Sequence, residues 1–175
     1  MNGESTEVAV DVRSTEGTTV RLDTLEDTLR FGRSLGAMLR AGDLVILSGS
    51  LGAGKTALTK GIGAGMGVTG TIASPTFVLV RVHPAGPDGV QLVHVDAYRL
   101  AGAVELDDLD LDTDLTASAV VIEWGEGVAE QLADARLTIH LDRRPDDTRL
   151  ATLTAVGDDW TPRMAALSAA DSQSD

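Results

Sequence analysis

Residues 49 to 56 carry a run whose types and spacing suit phosphate chemistry: Gly49-Ser50-Leu51-Gly52-Ala53-Gly54-Lys55-Thr56, a complete G-x-x-x-x-G-K-[S/T] loop. The glycines let the backbone wrap closely around a polyphosphate, and the inward-pointing amides make an anion nest. Lys55 supplies a point charge for the β- and γ-phosphates, and the Thr56 hydroxyl is of the type that ligates Mg²⁺. A chance match in a chain of this length is on the order of one in a few hundred. Ala57 leads from the loop into an apolar helical pattern, so the candidate nucleotide-binding segment runs from 49 to 57. The loop by itself is compatible with hydrolysis, transfer or sensing of the nucleotide.

Such a loop needs a metal-organising carboxylate at the end of a neighbouring strand. Glu123 directly follows the apolar run A-V-V-I, and Asp96 follows L-V-H-V in the same way. Open α/β sheets bind ligands beyond the carboxyl ends of their strands. Both acids are therefore candidates to converge on Mg²⁺ and the γ-phosphate, and with Lys55 they form the candidate catalytic set. Residues 74 to 77, S-P-T-F, place a hydroxyl where it would close over the γ-phosphate as a switch or simply mark a turn into a strand. His83, His94 and His140 lack H-x-x-x-H or H-E-x-x-H spacing, which argues against zinc. Trp124 reads first as packing, with shielding of a metal site as the alternative. Trp160 reads as a docking aromatic at most.

These residues need particular elements to hold them. Residues 44 to 48, L-V-I-L-S, suit a buried parallel strand, and Ala57, Leu58, Ile62 and Met66 recur at helical spacing behind the loop. Gly61, Gly63 and Gly65 weaken that helix by roughly 1 kcal/mol each relative to Ala, so tertiary packing must hold it. Thr24 to Asp27 resembles a capping box. Leu25, Leu29, Gly32, Leu35, Gly36, Met38 and Leu39 then make one helical face, with Gly42 as the expected stop. Residues 77 to 82 and 90 to 95 predict an antiparallel hairpin across H-P-A-G-P-D-G. Strands are also predicted at 119 to 123, 137 to 141 and 149 to 155, with a short helix near 126 to 133. Val8, Val10 and Val12 alternate like a marginal edge strand. The expected division is a flexible extension over 1–17, one P-loop domain over 18–156 and a frayed tail over 157–175.

Composition sets the limits. The chain has 175 residues, 43% hydrophobic, enough for one substantial core. It has no Cys, which excludes disulfides and thiolate metal sites and fits a reducing, cytoplasmic setting. The first residues are unlike a signal peptide, and no apolar run approaches membrane-spanning length. Net charge is −13, so a direct grip on a nucleic-acid backbone is not expected. Any RNA in the pathway would be held by another protein.

L-G-A-G-K-T (51 to 56), S-P-T-F (74 to 77), H-V-D-A-Y-R-L (94 to 100), E-L-D-D-L (105 to 109) and I-E-W-G-E (122 to 126) occur together and in order. Over about residues 20 to 155 the chain resembles the TsaE family. These are bacterial ATPases required to form threonylcarbamoyladenosine, the modification on N6 of adenosine 37 in tRNAs reading codons that begin with A. The resemblance implies an α/β fold of the P-loop NTPase type: a three-layer sandwich whose central, mostly parallel sheet carries an antiparallel hairpin and has helices on both faces. It implies ATP and Mg²⁺ as ligands, and the TsaD and TsaB proteins as partners, with tRNA met only through their complex. Activity would be weak alone and partner-dependent. Thr56 and Glu123 would be Mg²⁺ ligands, Asp96 would lie near the γ-phosphate and Thr76 would act as a switch. Thr28 would contact nucleotide, and Arg149 would lie near the base. Ser50, Ala57 and Gly125 depart from the family's common pattern without removing a phosphate or metal ligand.

Three other readings remain at this point. A small-molecule kinase fits the size, but no Arg-bearing lid is visible. A GTPase would need N-K-x-D, and Asn2 is the only Asn, so adenine preference is expected. A non-catalytic module would use nucleotide only to order an interface.

Overall fold

The computed structural model describes residues 17–73, 80–87, 89–98, 111 and 115–172. Its elements follow the chain as β1 (Thr18–Leu22), α1 (Leu25–Gly36), β2 (Leu44–Gly49), α2 (Lys55–Met66), β3 (Val80–His83) and β4 (Gln91–Asp96). Then come β5 (Ser118–Glu123), a 3₁₀ turn (Glu130–Leu132), β6 (Arg136–Arg143), β7 (Arg149–Val156) and α3 (Trp160–Ser172). One seven-stranded sheet has the order β1-β7-β6-β2-β5-β4-β3. Its middle strands, β6, β2, β5 and β4, run parallel, while β3 and the β7–β1 pair are antiparallel additions at the two edges. The α/β fold expected from the sequence is present, with the β3–β4 hairpin where the turn-rich stretch predicts it.

Strand alternation divides the interior. Val45 and Leu47 of β2 and Val121 of β5 face a core shared with Phe31, Leu35, Leu58, Ile62, Trp160 and Met164 from the three helices. Leu44, Ile46, Val93, Val95, Val120 and Ile122 face the other way, under Leu111, Leu115 and Ala129. Leu111 and Leu115 are helical, so helical residues cover both faces. Strands buried on both sides explain the nearly continuous apolar runs of β2 and β5.

Thr24 caps α1 as expected. Its hydroxyl accepts from the Asp27 amide at 3.1 Å, and the Asp27 carboxylate accepts from the Thr24 amide at 2.9 Å. Thr24→Ala is expected to lower stability by about 1 kcal/mol in thermal unfolding, since the Asp27 amide loses its side-chain acceptor. The buried face differs from the expected one. Leu25 is exposed, and Thr28 and Phe31 point inward with Gly32, Leu35 and Gly36. The helix also ends at Gly36 rather than near Gly42. There the Met38 and Leu39 amides turn to the i−3 carbonyls of Leu35 and Gly36, which closes the helix in tight turns.

The C-terminus is the largest difference from expectation. The sequence predicts a frayed tail from 157, but Trp160–Ser172 forms α3 and packs on the core. Ala-rich sequence favours helix, and Trp160, Met164 and Leu167 recur at i, i+4, i+7 to make one buried face. Arg163, 7% exposed, seals that docking. Its Nη1 donates to Asp43 Oδ1 at 3.0 Å, its Nη2 reaches Asp43 and the Met38 carbonyl, and the guanidinium lies 3.8 Å from the Trp160 ring. The strand-like residues 8 to 12 lie outside the described residues. The strand that does occupy the edge, β1, was not foreseen.

Candidate active site

The sheet register places the chemistry. Asp96, at the end of β4, pairs with Glu123 at the end of β5, and Glu123 pairs in turn with Leu47 of β2. Three strand ends are therefore level, and the loop starts two residues beyond Leu47. Gly49 (φ 134°) and Gly54 (φ 109°) adopt a backbone open essentially to glycine alone. A Cβ on Gly49 would also run into the Leu141 carbonyl of β6. Gly54 is the N-cap of α2 and makes no side-chain cap bond, so the first-turn amides are left to a ligand.

Leu51, Gly52, Gly54, Lys55, Thr56, Ala57, Asp96, Tyr98, Glu123 and Trp124 line a cleft of about 370 Å³. Lys55 is almost wholly buried. Its ammonium donates to the Gly49 and Ser50 carbonyls, each at 2.8 Å, and sits 3.9 Å from the centre of the Trp124 ring. Burial lowers its pKa from the ordinary lysine range, and the Glu123 and Asp96 carboxylates oppose that shift. Thr56 Oγ1 donates to Glu123 Oε1 at 2.9 Å, which ties the first turn of α2 to the end of β5. The other Glu123 oxygen meets His94 Nε2. Asp96 Oδ1 accepts from the Tyr98 amide at 2.9 Å.

Trp124 follows Glu123 at φ 62°, an uncommon conformation for a bulky residue. Its amide donates to the Leu47 carbonyl at 2.8 Å, and its ring packs at 4.9 Å from Tyr98. The turn throws the indole across the cleft, under Lys55. Gly125 allows this turn to pack tightly, because a Cβ there would lie 2.8 Å from Ile122 Cγ2. Trp124 is thus part of the cleft and not simple filler. Tyr98, quoted only within its motif, joins it there.

Most of the sequence-chosen residues come together. Gly49 to Ala57, Asp96 and Glu123 surround one cleft or form the loop beneath it. Ser50 and Ala53 act through their backbones, Ala53 by accepting from Arg149 Nε at 3.1 Å. Arg149, at the start of β7, therefore braces the back of the loop. Thr28 is not brought to the cleft lining. It is fully buried in α1, with its hydroxyl 3.4 Å from the Thr24 carbonyl. Thr76, within 74 to 79, lies outside the described residues, as does the 105 to 109 motif. The sequence argues only against zinc at His94, and its Glu123 partner lies 29 residues away. The available signal was its position two before Asp96, on the same strand face.

For Mg²⁺, the Thr56 hydroxyl and the Glu123 and Asp96 carboxylates offer hard oxygen donors, and no sulfur or free imidazole competes among them. No cluster of three or more His, Asp or Glu residues suited to a metal occurs among the described residues. Among the described residues no helix is long and apolar enough to cross a membrane.

Residues 22–151 match the model of the family described as threonylcarbamoyl adenosine biosynthesis protein TsaE. Among curated proteins, a Streptomyces coelicolor protein named tRNA threonylcarbamoyladenosine biosynthesis protein TsaE is 56% identical over 134 residues, 74% of this chain and 90% of that one. The identically named protein of Bacillus subtilis is 40% identical over 134 residues, 75% and 82% of the two chains. Among solved structures, the crystal structure of YdiB from Bacillus subtilis superposes with a TM-score of 0.73 at 32% identity, covering 89% of this chain and 97% of that one.

Proposed function

The chain belongs to the TsaE family of threonylcarbamoyl adenosine biosynthesis proteins, and from that membership and the cleft we propose that it is a Mg²⁺-dependent ATPase of tRNA modification. It binds ATP in the loop over residues 49 to 57. It acts on a complex of TsaD and TsaB proteins, and meets tRNA only through them. The observation that carries this reading is the 2.9 Å bond between Thr56 and Glu123, which joins a phosphate-binding loop to a strand-end carboxylate.

The roles follow from placement. The first-turn amides of α2 and the loop amides receive the phosphates, and Lys55 moves its charge from two loop carbonyls to the β- and γ-oxygens. Mg²⁺, when bound, neutralises charge developing on the phosphates. Glu123 and Thr56 would hold it. Asp96, half-exposed and level with Glu123, is the group available to orient water at the γ-phosphate or to accept its proton. Trp124 and Tyr98 wall the cleft and limit solvent around Lys55. The acidity of the chain suits a basic protein face better than a nucleic acid.

Phosphate release by the purified chain in Mg²⁺ and ATP tests this directly. A slow rate alone, raised several-fold by TsaB and TsaD together, is expected. Phosphate appearing on a small-molecule acceptor would instead establish a kinase. No release in either condition would remove the ATPase reading.

A further inference from the structure

His94 sits on β4 with no exposed surface, two residues before Asp96 and therefore on the same face of the strand. Its Nε2 meets Glu123 Oε2, while Glu123 Oε1 accepts from Thr56. A Glu123 carboxylate can only accept, and towards it His94 Nε2 would be the donor. His94 Nδ1 has no hydrogen-bond partner among the described residues, and the ring is backed by His83, with centroids 6.5 Å apart. An imidazole sealed from water with a single polar contact has that contact as its one polar role. A buried apolar side chain would fill the same space without leaving a nitrogen unpaired.

We propose that His94 is a positioning residue that holds Glu123 through Nε2–H, so that its free oxygen is aimed at Thr56 and the nucleotide-binding loop. With both oxygens engaged, the carboxylate has one orientation before any ligand arrives. Without His94, Glu123 keeps only the bond to a hydroxyl that must itself turn toward a metal. Carboxylate–histidine partnerships of this kind tune ligand orientation, and their loss typically costs about 10–100-fold in metal affinity or activity. The assignment deepens the ATPase reading and rests on it for the catalytic consequence. The hydrogen bond itself stands apart from that reading.

His94→Phe keeps a ring and removes the donor, whereas His94→Gln places an amide donor near the Nε2 position. His94→Phe is expected to raise the Mg²⁺ concentration for half-maximal turnover, and to lower kcat, by about 10–100-fold. ADP affinity measured without Mg²⁺ should stay within about twofold, because the loop is untouched, and His94→Gln should recover a large part of the loss. In metal-free wild-type protein, imidazole ¹⁵N spectra should show His94 as the Nε2–H tautomer, slow to exchange, and Glu123→Ala should abolish that signature. Equal impairment of the Phe and Gln variants, or a wild-type response of the Phe variant to Mg²⁺, would overturn the proposal. Should His94→Phe fail to fold, the spectrum decides: an Nδ1–H tautomer or rapid exchange overturns it. A wild-type chain without ATPase activity but with the Nε2–H signature would sink the ATPase reading and leave the positioning contact standing.

Discussion

Replacing Glu123 is expected to abolish Mg²⁺-dependent ATP hydrolysis while leaving much of the nucleotide affinity. In the proposed ATPase, phosphate binding would rest on loop amides and on Lys55, whose ammonium bonds to the Gly49 and Ser50 carbonyls and not to Glu123. Organisation of the metal in the proposed ATPase would depend on the buried Glu123 carboxylate joined to Thr56. Removing a single preorganised electrostatic group from a reaction site commonly costs 10²–10³ in rate, so a loss of at least about a hundredfold is expected. The choice of variant matters. Glu123→Ala also leaves the His94 and Thr56 donors without acceptors, at about 1–3 kcal/mol for each unsatisfied group. Glu123→Gln keeps the shape and one acceptor oxygen while deleting the charge, and is the cleaner probe of catalysis. Single-turnover phosphate release paired with ADP binding separates the two quantities. Hydrolysis at the wild-type rate by Glu123→Gln would show that the metal-organising carboxylate has been placed wrongly.

Gly36→Ala is expected to destabilise the fold by about 3 kcal/mol, although Ala is the better helix former. Four glycines make the seam between α1 and α2. A Cβ on Gly36 would strike the Ile62 carbonyl, and one on Gly65 the Arg33 carbonyl. One on Gly61 would lie 2.5 Å from the Leu29 carbonyl, and one on Gly32 would lie 2.7 Å from the Leu58 carbonyl. In each case the obstacle is backbone, which cannot rotate away as a side chain does. Helix propensity alone predicts the opposite sign, a gain of up to about 1 kcal/mol for Gly→Ala in a helix interior. Thermal unfolding decides between them. A loss of about 3 kcal/mol corresponds to a fall of roughly 6–12 °C in Tm for a domain of this size. An unchanged or raised Tm would mean that the helices can separate cheaply. Activity should fall with stability, since α2 carries Lys55 and Thr56 at its first turn.

The same glycines show how far the sequence could be read. Their number in α2 signalled that packing must hold the helix, because the local penalty was visible. That Gly32 and Gly36 of α1 were the other half of the seam was not visible, since the pairing spans about thirty residues. The buried face of α1 departs from its helical period for a related reason. Leu25 fits the helical period but stays exposed, while Thr28 and Phe31 are buried with Gly32, Leu35 and Gly36. In the C-terminal helix, Ala, Ser and Asp resemble a solvated tail, and only Trp160, Met164 and Leu167 form a buried stripe. Arg163 gave no local hint, its acidic partner being 120 residues away.

By itself the sequence determined the phosphate loop, the strand and helix around it, the two strand-end carboxylates and the family. Each depends on short spacings or on residue types that few other chemistries use. The tertiary structure decided which residues share one cleft. Register between β4 and β5 set Asp96 level with Glu123 and brought His94 onto the same carboxylate, and the strained turn at Trp124 swung the indole beneath Lys55. Those contacts join residues 27 to 69 positions apart. They arise from sheet pairing and close packing, and no local pattern records either.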